Sequence, residues 1–240
     1  MKQILKNKTA LIIGNGSKFI DAITKQFIHQ GAQAVFCLDV PNQNKRKPLT
    51  EIEAEILQNG QLEKFKFPDI FHYIKNKFQS LDVVVNDLNC ISLKDVQAQN
   101  VKYHYKNYDL GIEIICYCMD KIFEIMIKNK TAGSIINILP SFGNTKSIDK
   151  EKNIIYRGAL SSLSKHWAVT FGRNNMRVNA ISPGYILDES YSIEDQINET
   201  VYLKRCGSIN EVVNVVTFLA SEEANYVTGS IIRVDGGKIM

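Results

Sequence analysis

Two segments of the chain carry residue types that could do chemistry. Residues 153–157 read Asn-Ile-Ile-Tyr-Arg, so a phenol, Tyr156, stands beside a permanent cation, Arg157. A phenol can donate and accept protons, and a neighbouring positive charge lowers its pKa. Residues 9–14 form an apolar run that ends in Gly14, and a glycine turn between a strand and a helix is typical of phosphate binding. The second segment indicates the scaffold of a nucleotide site, whereas the first puts the activity of the chain in doubt.

The elements that would position these residues alternate along the chain. Apolar runs predict strands over residues 9–13, 34–38, 62–67, 81–85, 134–138, 177–181 and 230–234. Helical periodicity predicts helices over residues 17–30, 51–58, 70–78, 103–128, 155–172 and 210–220. This alternation predicts a Rossmann-like doubly wound α/β fold, with a parallel sheet covered by helices on both faces. Because no linker or internal repeat interrupts the 240 residues, we expect a single domain over residues 1–240.

Composition excludes several function classes. The net charge of +4 is mild, so no nucleic-acid partner is expected. No apolar run reaches the ~18 residues that a membrane span needs, and the N-terminus lacks a signal-peptide pattern. The 5 cysteines contain no Cys-x-x-Cys pair, and the 4 histidines have no ligand-like spacing. We therefore expect a cytoplasmic protein without a metal site and without a membrane partner.

Several motifs, in this order, resemble the short-chain dehydrogenase/reductase family over nearly the whole chain. Residues 9–14 (Thr-Ala-Leu-Ile-Ile-Gly) look like the first strand and turn of its dinucleotide site, and residues 81–86 (Leu-Asp-Val-Val-Val-Asn) lead into its Asn-Asn-Ala-Gly position. Residues 133–138 (Gly-Ser-Ile-Ile-Asn-Ile) are similar to the strand before its catalytic serine. Residues 177–184 (Arg-Val-Asn-Ala-Ile-Ser-Pro-Gly) and 226–237 resemble its late motifs. The resemblance implies a nucleotide-dependent oxidoreductase fold.

The same resemblance shows that the family's catalytic residues have changed. Counting forward from residues 133–138 and back from residues 177–184, without gaps, gives one alignment between the two motifs. Pro140 then stands at the catalytic serine, Asn153 at the tyrosine and Arg157 at the lysine. The family's helix-borne asparagine, placed by Gly111, falls on Tyr108. Proline has no hydroxyl, asparagine does not ionise and arginine cannot relay a proton at neutral pH, so the usual reaction is expected to be silent or strongly impaired.

Displaced groups could substitute if the chain is active. Ser141 stands one residue from the lost serine, and Tyr156 lies one helical turn beyond Asn153. A register in which Tyr156 is the acid places Leu160 at its lysine partner, however, and the longer spacing of enoyl reductases places Lys150 at the tyrosine. We expect Tyr156 to be a packing residue and Ser141 a loop residue.

The cofactor loop is also altered. The family uses three glycines, and only Gly14 stands in place, with Lys18 and Ile20 at the second and third positions. Asp39 ends the second predicted strand, where a carboxylate accepts hydrogen bonds from an adenosine ribose and favours NAD over NADP. The chain could equally bind neither. The resemblance gives these candidate cofactor contacts: Gly14, Ser17, Lys18, Phe19, Asp39, Asn86, Arg157 and Asp188.

The late motifs and long helices, which build dimers and tetramers in this family, keep their resemblance. We therefore expect a homo- or hetero-oligomer in which this chain is a structural or regulatory subunit. An active paralogue is one possible partner. A working NAD(P)-dependent oxidoreductase acting on a carbonyl or hydroxyl group, and a nucleotide or metabolite sensor, remain alternatives. Residues 185–204 would form the substrate lid, and their mixed composition selects no substrate.

Overall fold

The computed structural model describes residues 3–14, 18–39, 53–58, 61–77, 80–87, 101–140, 147–187 and 200–238. Within these ranges, residues 18, 34–39, 53–58, 61–68, 77, 101–111 and 147–153 are described by their backbone alone.

One eight-stranded sheet forms the centre of the molecule. Its strands are β1 (Thr9–Gly14), β2 (Ala34–Asp39), β3 (Glu53–Gln58), β4 (Gln61–Lys66), β5 (Val83–Asp87), β6 (Ser134–Ile138), β7 (Arg177–Pro183) and β8 (Ile231–Val234). Their order is β4-β3-β2-β1-β5-β6-β7-β8. Strands β2, β1, β5, β6, β7 and β8 are parallel to one another, whereas β3 pairs antiparallel with β2 and β4 pairs antiparallel with β3.

Helices cover both faces of this sheet. They are α1 (Lys18–His29), α2 (Phe67–Lys77), α3 (Val101–Lys128), α4 (Ser147–Gly172) and α5 (Ile209–Ala220), with a short 3₁₀ turn at Glu222–Ala224. The side chains of a strand alternate between faces. Leu11 and Ile13 accordingly pack with α2, α3 and α4, while Ile12 and Ala10 pack with α1 and α5. The predicted doubly wound α/β architecture is confirmed.

Residues 51–58 were expected to be helical, and this expectation is wrong for the segment that the structure describes. Residues 53–58 form β3, which pairs with β2 on one side and β4 on the other. The segment Glu-Ala-Glu-Ile-Leu-Gln has good local helix propensity, but backbone pairing with distant strands overrides it. The sheet is therefore mixed rather than wholly parallel. Helix α4 also begins at Ser147, before the predicted start at residue 155.

Candidate functional site

The first candidates meet where neighbouring parallel strands end. Gly14 of β1 pairs in register with Asp39 of β2 and with Asp87 of β5, and Asn86 pairs with Ile13. In open α/β sheets the crevice at the carboxyl ends of the strands is the usual ligand site. The backbone thus brings Gly14, Asp39 and Asn86 to one edge, as a nucleotide site requires.

Gly14 is required by the side chain that follows it on α1. A Cβ at Gly14 would lie 2.4 Å from Cδ1 of Ile20 and 3.2 Å from the carbonyl oxygen of Asp87. Ile20 is 7% exposed and belongs to the core under α1. The third-glycine position, which normally permits close packing of helix on strand, therefore carries an isoleucine that is accommodated because residue 14 has no side chain.

A buried network of hydrogen-bonded polar side chains lies next to the carboxyl ends of β5 and β6. The Asn86 amide nitrogen donates to Oδ1 of Asn137 at 2.8 Å, and the Asn137 amide donates to Oγ of Ser164 at the same distance. Ser164 in turn donates to the carbonyl of Leu160 at 2.7 Å. These three polar side chains are all buried, so their mutual bonds fix β5, β6 and α4 relative to one another.

Arg157 joins the carboxyl ends of β6 and β7. One terminal nitrogen of its guanidinium donates to the carbonyl oxygen of Pro140 at 2.9 Å, and the other donates to Oγ of Ser182. Ser182 is 1% exposed, so this hydroxyl is removed from water. The contact places two of the residues assigned to catalytic positions side by side, with the arginine engaged by protein oxygens.

The electrostatic surroundings of Arg157 come from the end of β8. Burial lowers the pKa of the Arg157 guanidinium, the like charge of Arg233 lowers it further, and the Asp235 carboxylate raises it. Asp235 accepts from Nε of Arg233 at 2.6 Å and from the Gly237 backbone at 3.1 Å. An arginine starts from a pKa above ~12, so Arg157 is a fixed cation at neutral pH.

Sequence reasoning did not select Ser182 or Asp235 as site residues. Ser182 lies in the Ile-Ser-Pro-Gly motif at the carboxyl end of a strand, and that position was the available signal for it. Asp235 is separated from Arg157 by more than seventy residues, and only the register of β7 with β8 brings the two regions together.

Tyr156 faces a different environment from its neighbour Arg157. It is 9% exposed and packs in the core cluster that contains Leu160 and the inner face of α3. Successive residues on a helix project about 100° apart, which explains why Arg157 reaches the sheet edge while Tyr156 lies among apolar side chains.

The ends of the predicted lid are tied to the C-terminal strand. The Gly184 amide donates to the carbonyl of Val234 at 2.9 Å, and a Cβ at Gly184 would lie 2.5 Å from Cα of Asp235. The Leu203 amide donates to the carbonyl of Gly236 at 3.0 Å. Both ends of the predicted lid are therefore hydrogen-bonded to the end of β8 and the turn that follows it.

The remaining candidates are placed less completely. Phe19 is half-buried against the core under α1. Ser17, Ser141 and Asp188 lie outside the described residues. The following candidates are described by their backbone alone: Lys18, Asp39, Tyr108 and Asn153.

Metal and membrane features are both missing from the described ranges. These ranges contain no group of three or more histidine, cysteine or acidic residues suited to a metal ion. Among the helices described there, none has the length and apolar character needed to span a bilayer.

The fold and the carboxyl ends of its strands define a Rossmann-like α/β protein. A family model described as "Enoyl-(Acyl carrier protein) reductase" matches residues 21–238. The chain belongs to the short-chain dehydrogenase/reductase family.

Curated relatives align over nearly their full length. The chain is 28% identical to the uncharacterized oxidoreductase YxbG of Bacillus subtilis, over 97% of this chain and 91% of the relative. It is 26% identical to the 3-oxoacyl-[acyl-carrier-protein] reductase FabG of Staphylococcus epidermidis, over 98% of this chain and 100% of the relative. It is also 26% identical to a 3alpha-hydroxysteroid dehydrogenase of Mediterraneibacter gnavus, over 98% of each chain.

Solved structures have the same fold. A short-chain dehydrogenase from Leptospira borgpetersenii with bound NAD+ superposes with a TM-score of 0.72 at 18% identity, covering 97% of this chain and 93% of that chain. A short-chain dehydrogenase/reductase from Mycobacterium ulcerans gives the same TM-score and identity, covering 97% of this chain and 90% of that chain.

Proposed function

We propose that this chain is a structural or regulatory subunit of an oxidoreductase assembly. The chain itself no longer performs the usual reaction of its family. The observation that carries the proposal is the engagement of Arg157 with the carbonyl of Pro140 and the hydroxyl of Ser182. At the position where the family has a proton-relaying lysine, this chain has a fixed cation that connects two strand ends.

The chemistry of the altered positions supports this reading. The family's reaction uses a tyrosine as general acid, a lysine that lowers its pKa and a serine that holds the substrate oxygen. Asn153 has no ionisable proton, and Pro140 has neither a hydroxyl nor a backbone N–H. A general acid contributes about 10²–10⁴ in rate, so its loss together with the serine is sufficient to suppress turnover.

The residues at the ends of β1 and β2 still suit NAD binding, whereas the residues at the catalytic positions do not suit proton transfer. Gly14 has no side chain at the end of β1, and Asp39 ends β2 in register with it. Gly14, Asp39 and Arg157 are the residues that would hold NAD, whose nicotinamide supplies hydride transfer when bound. Asp39 favours NAD over NADP because a carboxylate accepts from ribose hydroxyls and repels a 2′-phosphate.

The outer face of α3 and α4 supports an assembly role. Ile154, Ile155 and Val169 on α4 are 55%, 53% and 72% exposed, which is unusual for large apolar side chains on one helix. Residues 153–172 contain no carboxylate, while Glu113 and Asp120 are exposed on the adjacent α3. A partner that presents the same pair of helices, either a second copy or an active paralogue, would bring the exposed apolar side chains of α4 together.

Calorimetry with NADH and NADPH, followed by a carbonyl-reduction assay and co-purification from the native source, tests the proposal. The expected result is no turnover above background, with the chain recovered in an oligomer. Efficient reduction of a carbonyl substrate by the chain alone would overturn it. Asp39→Asn, which removes the charge at constant size, is expected to weaken any NADH binding, and Asp21→Asn on the outer side of α1 is its control.

A working NAD-linked oxidoreductase is the second candidate, because the curated relatives carry oxidoreductase names and the Leptospira protein holds NAD+. It would act on a carbonyl or hydroxyl group through Arg157 with Ser141 or Tyr156. The burial of Tyr156 weighs against this candidate. Turnover that Tyr156→Phe abolishes would favour it, whereas nucleotide binding without turnover would indicate a sensor.

A further inference from the structure

A cavity with charged side chains in its wall lies at the opposite, amino-terminal edge of the sheet. Its volume is about 380 Å³, within the range of small-molecule sites. The starts of the parallel strands line it, through Lys8, Asp82, Ser134 and Arg177, and Glu222 completes the charged part of its wall. Because the nucleotide edge is at the carboxyl ends of the same strands, this cavity is separate from the site described above.

Arg177 gives the cavity a half-buried positive charge. Its guanidinium donates to the carbonyl oxygens of Leu219 at 2.9 Å and Ser221 at 3.1 Å, at the C-terminal end of α5. Burial lowers the pKa of this guanidinium. In the part of the chain that the structure describes, no carboxylate forms an ion pair with it. A cation withdrawn from water with only carbonyl partners favours an anion beside it.

Lys8 supplies a second positive charge on the cavity wall. Its ammonium lies 3.2 Å from Oε1 of Glu222, and the two side chains are 26% and 74% exposed. The ammonium has three N–H donors, so it can turn another of them toward a ligand while it keeps this contact. Arg177 and Lys8 together therefore suit a carboxylate group.

Asp82 restricts which anion fits. Its Oδ2 accepts from the Thr9 amide at 2.8 Å and from the Ser80 hydroxyl at 3.0 Å. This fixed negative charge opposes a dianion, and with Glu222 it balances the two cations of the wall. A carboxylate accepts up to about four hydrogen bonds, so Asp82 can still accept one from a ligand donor.

We propose that this cavity binds a small monocarboxylate that carries a hydroxyl or ammonium donor on its α-carbon. The ligand carboxylate contacts Arg177 and Lys8, and its donor contacts Asp82. The site uses no residue of the nucleotide edge and is independent of the function proposed above.

Thermal unfolding and calorimetry of the full chain test this site at constant ionic strength, with glycolate, glycine, acetate and inorganic phosphate as probes. Glycolate or glycine, whichever matches the donor, is expected to bind about tenfold more tightly than acetate, because acetate leaves Asp82 without a new partner. Phosphate is expected to bind most weakly. Absence of binding by every probe, or phosphate as the tightest ligand, would overturn the proposal.

Two variants locate the binding. Lys8→Gln is expected to weaken glycolate or glycine about tenfold, whereas Lys6→Gln, the same charge change on an exposed lysine two positions earlier, leaves affinity unchanged. Asp82→Asn keeps an acceptor for the Thr9 amide but removes the carboxylate. In this variant glycolate or glycine is expected to lose its advantage in affinity over acetate. Equal effects of Lys6→Gln and Lys8→Gln would show a general charge effect and reject the site. Arg177 caps α5, so these variants avoid a change that could unfold the protein.

Discussion

At the scale of single residues, Arg157 connects the ends of β6 and β7 through hydrogen bonds to protein oxygens. Arg157→Met leaves the Pro140 carbonyl and the buried Ser182 hydroxyl without their donor, so we expect a loss of about 1–3 kcal/mol in the free energy of unfolding. Urea denaturation measures it. Lys165→Met, on the exposed side of the same helix, is the control and should stay within about 0.5 kcal/mol of wild type. Equal effects of both changes would contradict a stabilising role for the hydrogen bonds of Arg157.

The proposed loss of chemistry can be tested by restoring the family residues. Pro140→Ser, Asn153→Tyr and Arg157→Lys together return the serine, the tyrosine and the lysine at the positions that the alignment assigns. If the register is correct, NADH-dependent reduction of a ketone panel should rise at least about 10²-fold over wild type.

A displaced tyrosine provides the control for this triple variant. Replacing Asn153→Tyr by Ile154→Tyr turns the phenol by about 100° around α4, and activity should then stay at background. An equal gain with the displaced tyrosine, or no gain in a triple variant that binds NADH, would reject the assigned register.

At the scale of elements, the start of α5 depends on a capping box. The Ser208 hydroxyl accepts from the Glu211 amide, and the Glu211 carboxylate accepts from the Ser208 amide at 2.7 Å. Hydrogen bonds from Arg205, and then from the Ser208 backbone, lower the pKa of Glu211 to about 2 from an ordinary value near 4.5. Because the folded pKa is depressed, this stabilisation is complete above about pH 4.5 and is lost as the pH falls through about 2.

Glu211→Gln should therefore lower the urea midpoint at pH 7 and have a shrinking effect between pH 4.5 and 2. The effect is expected to be small, because Arg205 and Glu211 are exposed. Arg205→Met should then cost less in the Glu211→Gln background than in the wild type, because its ion-pair partner is already neutral. A Glu211→Gln effect that is the same at pH 7 and pH 2 would exclude this origin.

Alanine is expected to have opposite effects on stability at two glycines, Gly184 and Gly158. Alanine at Gly184 would place its Cβ 2.5 Å from Cα of Asp235, so Gly184→Ala should destabilise by about 1–3 kcal/mol through overpacking. Gly158 lies within α4, and a Cβ at this position would meet nothing within 4 Å, so Gly158→Ala should stabilise by about 0.5–1 kcal/mol through helix propensity. Thermal denaturation compares the pair, and destabilisation by both would contradict the assignment.

The sequence predicts those elements well whose signal is local. The buried runs of β1, β5, β6 and β7 are apolar on both faces, and the structure forms strands there. Residues 53–58 were predicted wrongly because their strand depends on pairing with β2 and β4, which no local pattern contains. The contact between Arg157 and Ser182 was missed for the same reason, since it joins residues brought together only by the sheet.

At the scale of the whole molecule, the two faces of the sheet differ in what they leave exposed. On the α3 and α4 side, Ile155 and Val169 lie fourteen positions apart, nearly four helical turns, and so share one exposed face of α4 with Ser162 and His166. On the other side, α1 has an isolated exposed Ile28. Scattered apolar residues need no partner, whereas several large apolar side chains exposed on one face of a helix are typical of an interface.

The proposed assembly can be tested on that face of α4. Ile155→Glu combined with Val169→Glu should convert the oligomer to a monomer without unfolding it, because both side chains are exposed in the single chain and burying a carboxylate in the interface is unfavourable. Light scattering after size exclusion measures the mass, and circular dichroism verifies the fold. Ile28→Glu, on a comparably exposed isoleucine of α1, should leave the mass unchanged. A monomeric wild type that gains no mass with its paralogues, or an oligomer indifferent to both substitutions, would show that this face is not the interface.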